Sequence, residues 1–337
     1  MSQLDLFGAP PPDRRGAVQP VAIDDDTRRI AAALPPSVYL GTSSWSFPGW
    51  AGLVYRDPAS EAVLARSGLG AYATHPLLRT VGVDRTFYAP VSTDVLAGHA
   101  ASVPPDFRFL VKAHEAITTP RFPNHPRYGA LRGQASPHYL DPAYARDAVV
   151  APFVDGLGPR GAVLLFQFPP QPAIALAGPG PRSAARRFAE RVFRFLRELP
   201  PGPRYAVEIR TAELLTPDFA AALRTVNAVP CLAVMPGLPG LAALARATRA
   251  VEADALVIRW MLAAHHDYES AVSAYQPFDR LVDPDPSNRR TIADLLRGAV
   301  SRGVPAYVII NNKAEGSSPL SLFALARELV DADDVPF

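Results

Sequence analysis

Eight short apolar segments recur along the chain, and longer segments with helical periodicity separate most of them. The predicted strands are 38–43, 78–83, 107–112, 161–167, 204–210, 230–235, 255–260 and 305–310. Most are continuous apolar runs, as in residues 162–166. Such runs are typical of strands that are covered on both faces, which occur in parallel sheets.

The segments between these strands indicate helices on the outside of the sheet. Predicted helices are 183–199, 217–226, 288–302 and 319–330; in the first, arginines cover the face opposite an apolar stripe. Eight strands alternating with about eight helices predict an α/β protein with a single (β/α)8 TIM-type barrel over residues 36–333. A doubly wound open sheet is the alternative, but no glycine-rich phosphate fingerprint follows the first strand.

Residues 1–35 are predicted to be a flexible tail with at most a short helix at 27–34, because prolines and aspartates there bury little. Residues 3–7 resemble the pentapeptide by which bacterial proteins bind the sliding clamp. The matching residues are Gln3, Leu4, Leu6 and Phe7. An apolar peptide on a flexible tether suits docking in a groove. A frayed terminus with accidental leucines is the alternative.

Composition limits the compartment and the partners. No apolar run reaches the ~18 residues of a membrane span, and the N-terminus lacks the pattern of a signal peptide. The single cysteine, Cys231, excludes an internal disulfide. We therefore expect a cytoplasmic protein that is not in a membrane. The net charge of +2 is too small to argue for nucleic acid by itself.

Lysine is rare in this chain. Of the 34 lysine and arginine residues, only Lys112 and Lys313 are lysines, and both follow predicted strands. A lysine kept under such a bias suggests a need for a compact amine with an adjustable pKa. Chance survival of two lysines is the alternative interpretation.

The chemistry of a barrel is placed where its strands end. The polar side chains at those ends form a mostly cationic set, which favours an anion such as phosphate or carboxylate. We predict four catalytic residues: Glu208, Lys112, Asp84 and Tyr88. Glu208 is flanked by Arg210, so it is either a general base held ionised or a member of an ion pair, and the leading hypothesis uses it as the base. The predicted substrate-binding residues, in which the two tryptophans would line a cavity and stack on a ring, are Ser43, Trp45, Trp50, Gln167, Arg210, Arg259, Asn311, Asn312 and Lys313.

Two long connections, 113–140 and 261–287, would rise from the same face of a barrel, where they are either lids or binding loops or else ordinary proline-rich surface loops. No metal site is predicted, and no cofactor. A divalent metal stays open as an alternative, because His114, Glu208, His265 and Asp267 could converge, although no spacing demands it.

Six motifs occur in order along the chain: residues 41–46 with Trp50 and Tyr55, then 86–90, 109–113, 165–170, 206–210 and 311–312. Over about residues 38–330 these motifs resemble those of the YecE-like family, whose function is unknown. The resemblance implies a TIM-type barrel with its site at these strand ends, and no particular reaction. Gly82, Thr119 and Thr211 stand where the family usually has a glutamate and two histidines, which puts its acid–base residues in doubt here.

The leading functional hypothesis is a hydrolase or lyase that acts on a phosphate-bearing substrate. Together with the clamp-like peptide, it suggests damaged or single-stranded DNA, by analogy of fold alone. Two alternatives stay open: a non-catalytic module that binds nucleic acid or a nucleotide, and a small-molecule enzyme for a sugar phosphate. Neither the substrate nor the oligomeric state follows from the sequence.

Overall fold

Eight parallel strands form a closed barrel in which each strand pairs with the next and the last pairs with the first. The computed structural model describes residues 17–171 and 181–331. The strands are β1 Val38–Thr42, β2 Thr80–Val83, β3 Arg108–Lys112, β4 Gly161–Phe168, β5 Tyr205–Ile209, β6 Val229–Val234, β7 Leu256–Trp260 and β8 Ala306–Ile310. This confirms the predicted (β/α)8 barrel, and closure of the ring excludes the open sheet.

Thirteen α-helices in the described residues surround the barrel and extend its loops. They are α1 Asp25–Ala33, α2 Glu61–Ser67, α3 Leu69–Ala73, α4 Thr93–Ala101, α5 Glu115–Thr118, α6 Pro142–Ala145, α7 Ala151–Leu157, α8 Pro181–Arg197, α9 Pro217–Thr225, α10 Leu241–Thr248, α11 Tyr268–Tyr275, α12 Pro286–Ser301 and α13 Ser318–Asp331. None of these helices combines the length and the apolar character that crossing a bilayer requires.

The inside of the barrel has an apolar layer below a polar layer. Buried apolar residues that point inward include Leu110, Leu165, Ala206 and Val257. Side chains along a strand alternate between its two faces, so the next inward position lies two residues further on. Those next positions are Lys112, Gln167, Glu208 and Arg259, which are all buried. The strand period therefore places four polar groups in one layer at the C-terminal end of the barrel.

The pairing of β1 with β2 depends on a close approach at Gly41. A Cβ atom on this residue would lie 1.9 Å from the carbonyl oxygen of Thr80. No side chain fits that distance, so the ring closes here only because glycine has none.

Residues 17–35 pack on the barrel, which corrects the expectation of a tail through residue 35. Ile30 in α1 is 2% exposed, and the guanidinium of Arg79 donates hydrogen bonds to backbone carbonyls of this segment. Asp26 in α1 pairs with Arg327 in α13. The apolar face of α1 covers few residues, so the sequence gives little indication that this helix packs on the barrel. The clamp-like residues Gln3, Leu4, Leu6 and Phe7 lie outside the described residues.

Candidate anion-binding site

A buried carboxylate at the end of β5 holds two arginines. Glu208 is 0% exposed; its Oε1 accepts from Arg210 Nε at 2.7 Å and its Oε2 accepts from Arg259 Nη1 at 2.6 Å. The side-chain oxygen of Gln167 accepts from both guanidinium groups, at 3.0 and 3.1 Å. These charge-assisted hydrogen bonds fix the position of both arginines.

This arrangement argues against Glu208 as a general base. Burial alone would raise the pKa of Glu208, but the charges of Arg259 and Arg210 lower it to about 2. A base works best when its pKa lies near the operating pH, and both oxygens of this carboxylate already accept strong hydrogen bonds. Glu208 is instead the group that orients the two arginines.

Both lysines lie within electrostatic reach of a second carboxylate, Asp84. Arg259 Nη2 holds Asp84 at 3.1 and 3.3 Å, and Asp84 interacts electrostatically with both Lys112 and Lys313. Lys112 Nζ lies 4.0 Å from the centre of the Phe87 ring. Lys313 Nζ similarly lies 4.3 Å from the centre of the ring of Tyr268, the first residue of α11.

Both ammonium groups are nearly buried without a counter-ion of their own. Lys112 is 6% exposed and Lys313 is 8% exposed. Within the described part of the chain, neither forms an ion pair or a hydrogen bond through Nζ. Burial lowers the pKa of Lys112 to about 8, against the opposing effect of Asp84, and burial also lowers the pKa of Lys313.

The site carries an excess of positive charge. With both lysines protonated, Lys112, Lys313, Arg210 and Arg259 bring four positive charges against the carboxylates of Asp84 and Glu208. Nearby, Glu115 and Arg127 form an ion pair at 2.9 Å, and because their charges cancel, the net charge of the site does not change. Because unpaired buried charge is costly, a site with a net charge near +2 favours an anion.

Polar residues of β1 and of the loop after β8 complete the rim beside the lysines. Asn311 Nδ2 donates to Ser43 Oγ at 2.9 Å, and Asn311 Oδ1 accepts from the backbone of Lys313 at 3.0 Å. Asn312 is 1% exposed, and its Oδ1 accepts from Trp50 and Ser318. Asn312 thus holds the loop that carries Lys313, which differs from the expected contact with substrate.

The two tryptophans of the first loop are core residues. Trp50 is 0% exposed and donates its Nε1 proton to Asn312 at 3.3 Å, while Trp45 is 5% exposed and packs edge-on against His99. The expectation that both rings line a cavity and stack on a ligand is therefore wrong. The apolar body of each indole is large enough for burial to dominate its placement.

Tyrosines stand at the rim of the site. Among the described residues, the exposed aromatic side chains are Tyr88, 58% exposed, and Tyr268, 64% exposed. Tyr88 packs edge-on against Phe87, and the guanidinium of Arg127 lies 5.0 Å from its ring centre. Tyr88 is therefore a surface group beside the site rather than a member of the buried polar cluster, where we expected it.

The three departures from the family pattern have distinct surroundings. A side chain on Gly82 would meet Ser43, at 3.2 Å from its Cα, inside the barrel. Thr211 Oγ1 accepts from the backbone of Gln171 at 2.8 Å, and Thr119 is 3% exposed. Thr211 and Thr119 thus serve loop attachment or packing, and at Gly82 a side chain would be in tight contact with β1 and the residue that follows it.

A group of metal-ligand side chains lies in the loop after β7. The donor atoms of His265, His266 and Asp283 are all within 4.8 Å of one another. Two residues of the possible metal set named from the sequence have other partners: the side chain of Asp267 caps α11, and His114 forms a hydrogen bond with Tyr144. The observed group of ligands therefore shares only His265 with that set. Asp283 follows His265 and His266 by 18 and 17 residues, and no motif spacing in the sequence identifies it as their partner.

Comparison with known proteins supports the fold. Residues 39–336 match the model of a family described as "Protein of unknown function DUF72". A solved DUF72 family protein of Enterococcus faecalis V583 is 16% identical, with a TM-score of 0.56 over 89% of this chain and 96% of that one. Another, of Thermotoga maritima MSB8, is 20% identical, with a TM-score of 0.53 over 87% and 98%. At these identities the likeness shows a shared fold only. No curated protein matches the chain.

Proposed function

The chain belongs to the DUF72 family of proteins of unknown function, and we propose that it binds and processes a dianionic phosphate ester at the C-terminal end of its barrel. The observation that carries this proposal is the pair of nearly buried lysines, Lys112 and Lys313, that lack carboxylate partners of their own. A phosphate monoester carries about −1.5 to −2 charges at neutral pH. Such a group matches the excess charge of the site better than a monoanionic carboxylate does.

Lys112 and Asp84 are the groups proposed to move a proton. A lysine with a pKa of about 8 is an effective proton donor near neutral pH, and its free amine is accessible at slightly higher pH. The side chain of Asp84 is 28% exposed and is oriented by Arg259. Acid–base chemistry beside a bound phosphate fits a hydrolase or a lyase. Glu208 contributes as a positioning residue through the arginines.

The exposed tyrosines favour a phosphate that bears a ring. Tyr88 lies beside Phe87, which contacts Lys112, and Tyr268 contacts Lys313 directly. Exposed rings next to a cationic site are typical of proteins that stack bases and bind phosphates. A nucleotide or a single-stranded nucleic acid is therefore the substrate class that we favour over a sugar phosphate.

Calorimetric titration with inorganic phosphate and with a nucleoside monophosphate tests this proposal. Lys112→Met and Lys313→Met should each weaken phosphate binding at least about tenfold, because each removes a desolvated charge. The control is Arg66→Met, which removes an exposed positive charge on α2. Above pH 8 the affinity of the wild-type protein should fall, since Lys112 loses its proton there. Wild-type affinity in both lysine variants would refute the proposal.

A non-catalytic binding module is the second candidate. Two observations favour it. Both carboxylate oxygens of Glu208 already accept hydrogen bonds from arginines, and Gly82 has no side chain at a position where the family usually has a glutamate. Product formation from phosphomonoester and phosphodiester substrates separates the two: binding without turnover at any pH supports the module. Double replacement of Tyr88 and Tyr268 by alanine should weaken nucleotide binding and leave inorganic phosphate binding intact. Equal effects on both ligands would favour a sugar-phosphate enzyme.

Recruitment by a bacterial sliding clamp is a separate proposal that rests on residues 3–7. It would bring the barrel to damaged or single-stranded DNA. Wild-type protein should be retained on immobilised clamp, and a Gln3→Ala/Phe7→Ala double variant should not. Equal retention of both proteins, or retention of neither, would refute the proposal that the clamp recruits this protein.

A further inference from the structure

We propose that the loop after β7 contains a site for a divalent transition metal, formed by His265, His266 and Asp283. The donor set of two imidazoles and one carboxylate is one that zinc and related metals prefer. None of these three residues belongs to the proposed phosphate site, and the inference does not depend on the proposed function.

The spacing of the donors fits a metal ion. Asp283 Oδ2 lies 3.1 Å from His265 Nε2 and 3.2 Å from His266 Nε2. Tetrahedral zinc with bonds of about 2.0–2.1 Å separates its ligand atoms by roughly 3.3–3.4 Å. The two Asp283–His distances are thus within about 0.3 Å of this separation, and all three donor atoms lie within 4.8 Å of one another. Small side-chain movements would therefore bring the three donors into coordination geometry.

A single carboxylate oxygen is shared by too many neighbours for simple hydrogen bonding. Asp283 Oδ2 contacts both imidazoles and also accepts from the hydroxyl of Tyr275 at 2.6 Å. A cation that both imidazoles and the carboxylate bind would replace two of these three contacts and leave the tyrosine to orient the carboxylate. Such outer hydrogen bonds are typical of metal ligands.

The second nitrogen of His266 has a partner that is compatible with the tautomer that a metal ligand needs. His266 Nδ1 lies 3.1 Å from Ser270 Oγ, and this hydroxyl lies 3.2 Å from the carbonyl of Asp267. When the single hydroxyl proton of Ser270 goes to that carbonyl, His266 must donate from Nδ1. A neutral imidazole then directs its Nε2 lone pair toward Asp283, which is repulsive without a cation between them.

The backbone around the site is anchored, so the donors do not depend on a free loop. The backbone N–H groups of Val282 and Asp283 both donate to the carbonyl of Glu315, at 2.8 and 3.2 Å. The Glu315 side chain is 0% exposed and pairs with Arg289. His265 is 62% exposed on its side chain, which leaves the outer coordination positions open to water or a ligand.

Metal titration of the full-length, untagged protein tests the inference. We expect one Zn²⁺ per chain with a dissociation constant below about 10 µM. Cobalt, used as a spectroscopic probe, should give the visible absorption of a low-coordinate site. Asp283→Asn and His266→Ala should each weaken binding at least about tenfold, and His265→Ala provides a variant at an exposed position that preserves folding.

The matched control is His138→Ala. His138 also contacts an aspartate, Asp141 at 3.3 Å, but among residues 17–171 and 181–331 no third ligand completes a group there. This variant should bind zinc like the wild type. Three results would each overturn the inference: no binding, binding unaffected in the Asp283 and His266 variants, or an equal loss in the His138 variant.

Discussion

Replacement of Glu208 by glutamine should destabilise the barrel strongly at neutral pH. Both carboxylate oxygens accept from guanidinium groups, so the amide nitrogen of a glutamine would face an N–H donor. Removing one partner of a buried ion pair costs about 3–5 kcal/mol. The pKa gives a similar magnitude: a drop from 4.5 to about 2 corresponds to about 3 kcal/mol of stability.

The sign of the pH dependence distinguishes this charge effect from a packing effect. The folded-state pKa of Glu208 is lower than its unfolded-state value, so its contribution is complete above about pH 4.5 and is lost as the pH falls toward 2. The wild-type protein should therefore lose this stability between those values. The Glu208→Gln protein should not, and the two should converge in acid.

Urea unfolding at pH 7 and at several values down to pH 3 measures both effects. The control is Glu190→Gln on α8, whose side chain is 49% exposed and pairs with Arg186. That surface pair should contribute less than about 1 kcal/mol. A cost below about 1 kcal/mol for Glu208→Gln at pH 7, or the same cost at pH 3, would refute the reasoning.

Two further predictions concern a lysine and two glycines. Competitive acetylation at a range of pH values, read by mass spectrometry, should show that the reactivity of Lys112 reaches half its maximum near pH 8. An exposed lysine titrates near about 10.4. A midpoint above 10 for Lys112 would contradict the conclusion that burial lowers its pKa. In a thermal unfolding assay, Gly41→Ala should severely destabilise the fold, because its Cβ would lie 1.9 Å from the Thr80 oxygen. Gly98→Ala in α4, where a Cβ meets nothing within 4 Å, should instead stabilise it by up to about 1 kcal/mol in the same thermal assay; similar shifts in both variants would contradict this account.

The strands and the polar layer at their ends could be predicted because they follow from local patterns. Each observed strand lies within two residues of a predicted one, since continuous apolar runs of this length are typical of buried strands. The inward direction of Gln167 and Glu208 then follows from the period of two. The lysine bias added an independent signal, because both lysines do lie at the barrel end.

The functions of individual side chains were harder to predict, since they depend on partners that are distant in sequence. The sequence does not decide between an ion pair and a general base at Glu208, because Arg259, which binds the second oxygen of this carboxylate, is 51 residues away. Asn312 and Trp50 are 262 residues apart in the sequence, yet they form a hydrogen bond with each other. Both were predicted to contact substrate, and the contact that the structure shows is a structural one. Asp283 was missed because an aspartate in an irregular loop has no periodicity that would relate it to His266.

The contact between the first and last described helices has a practical consequence for engineering the chain. The ion pairs of Asp26 with Arg327 and of Arg29 with Asp331 place α1 beside the last turns of α13. A linker could therefore join these two helices, and new termini could be opened at Gly202, an exposed turn at the opposite end of the barrel from the lysines. Such a circularly permuted protein would keep β1 and β8 as neighbours within one continuous polypeptide.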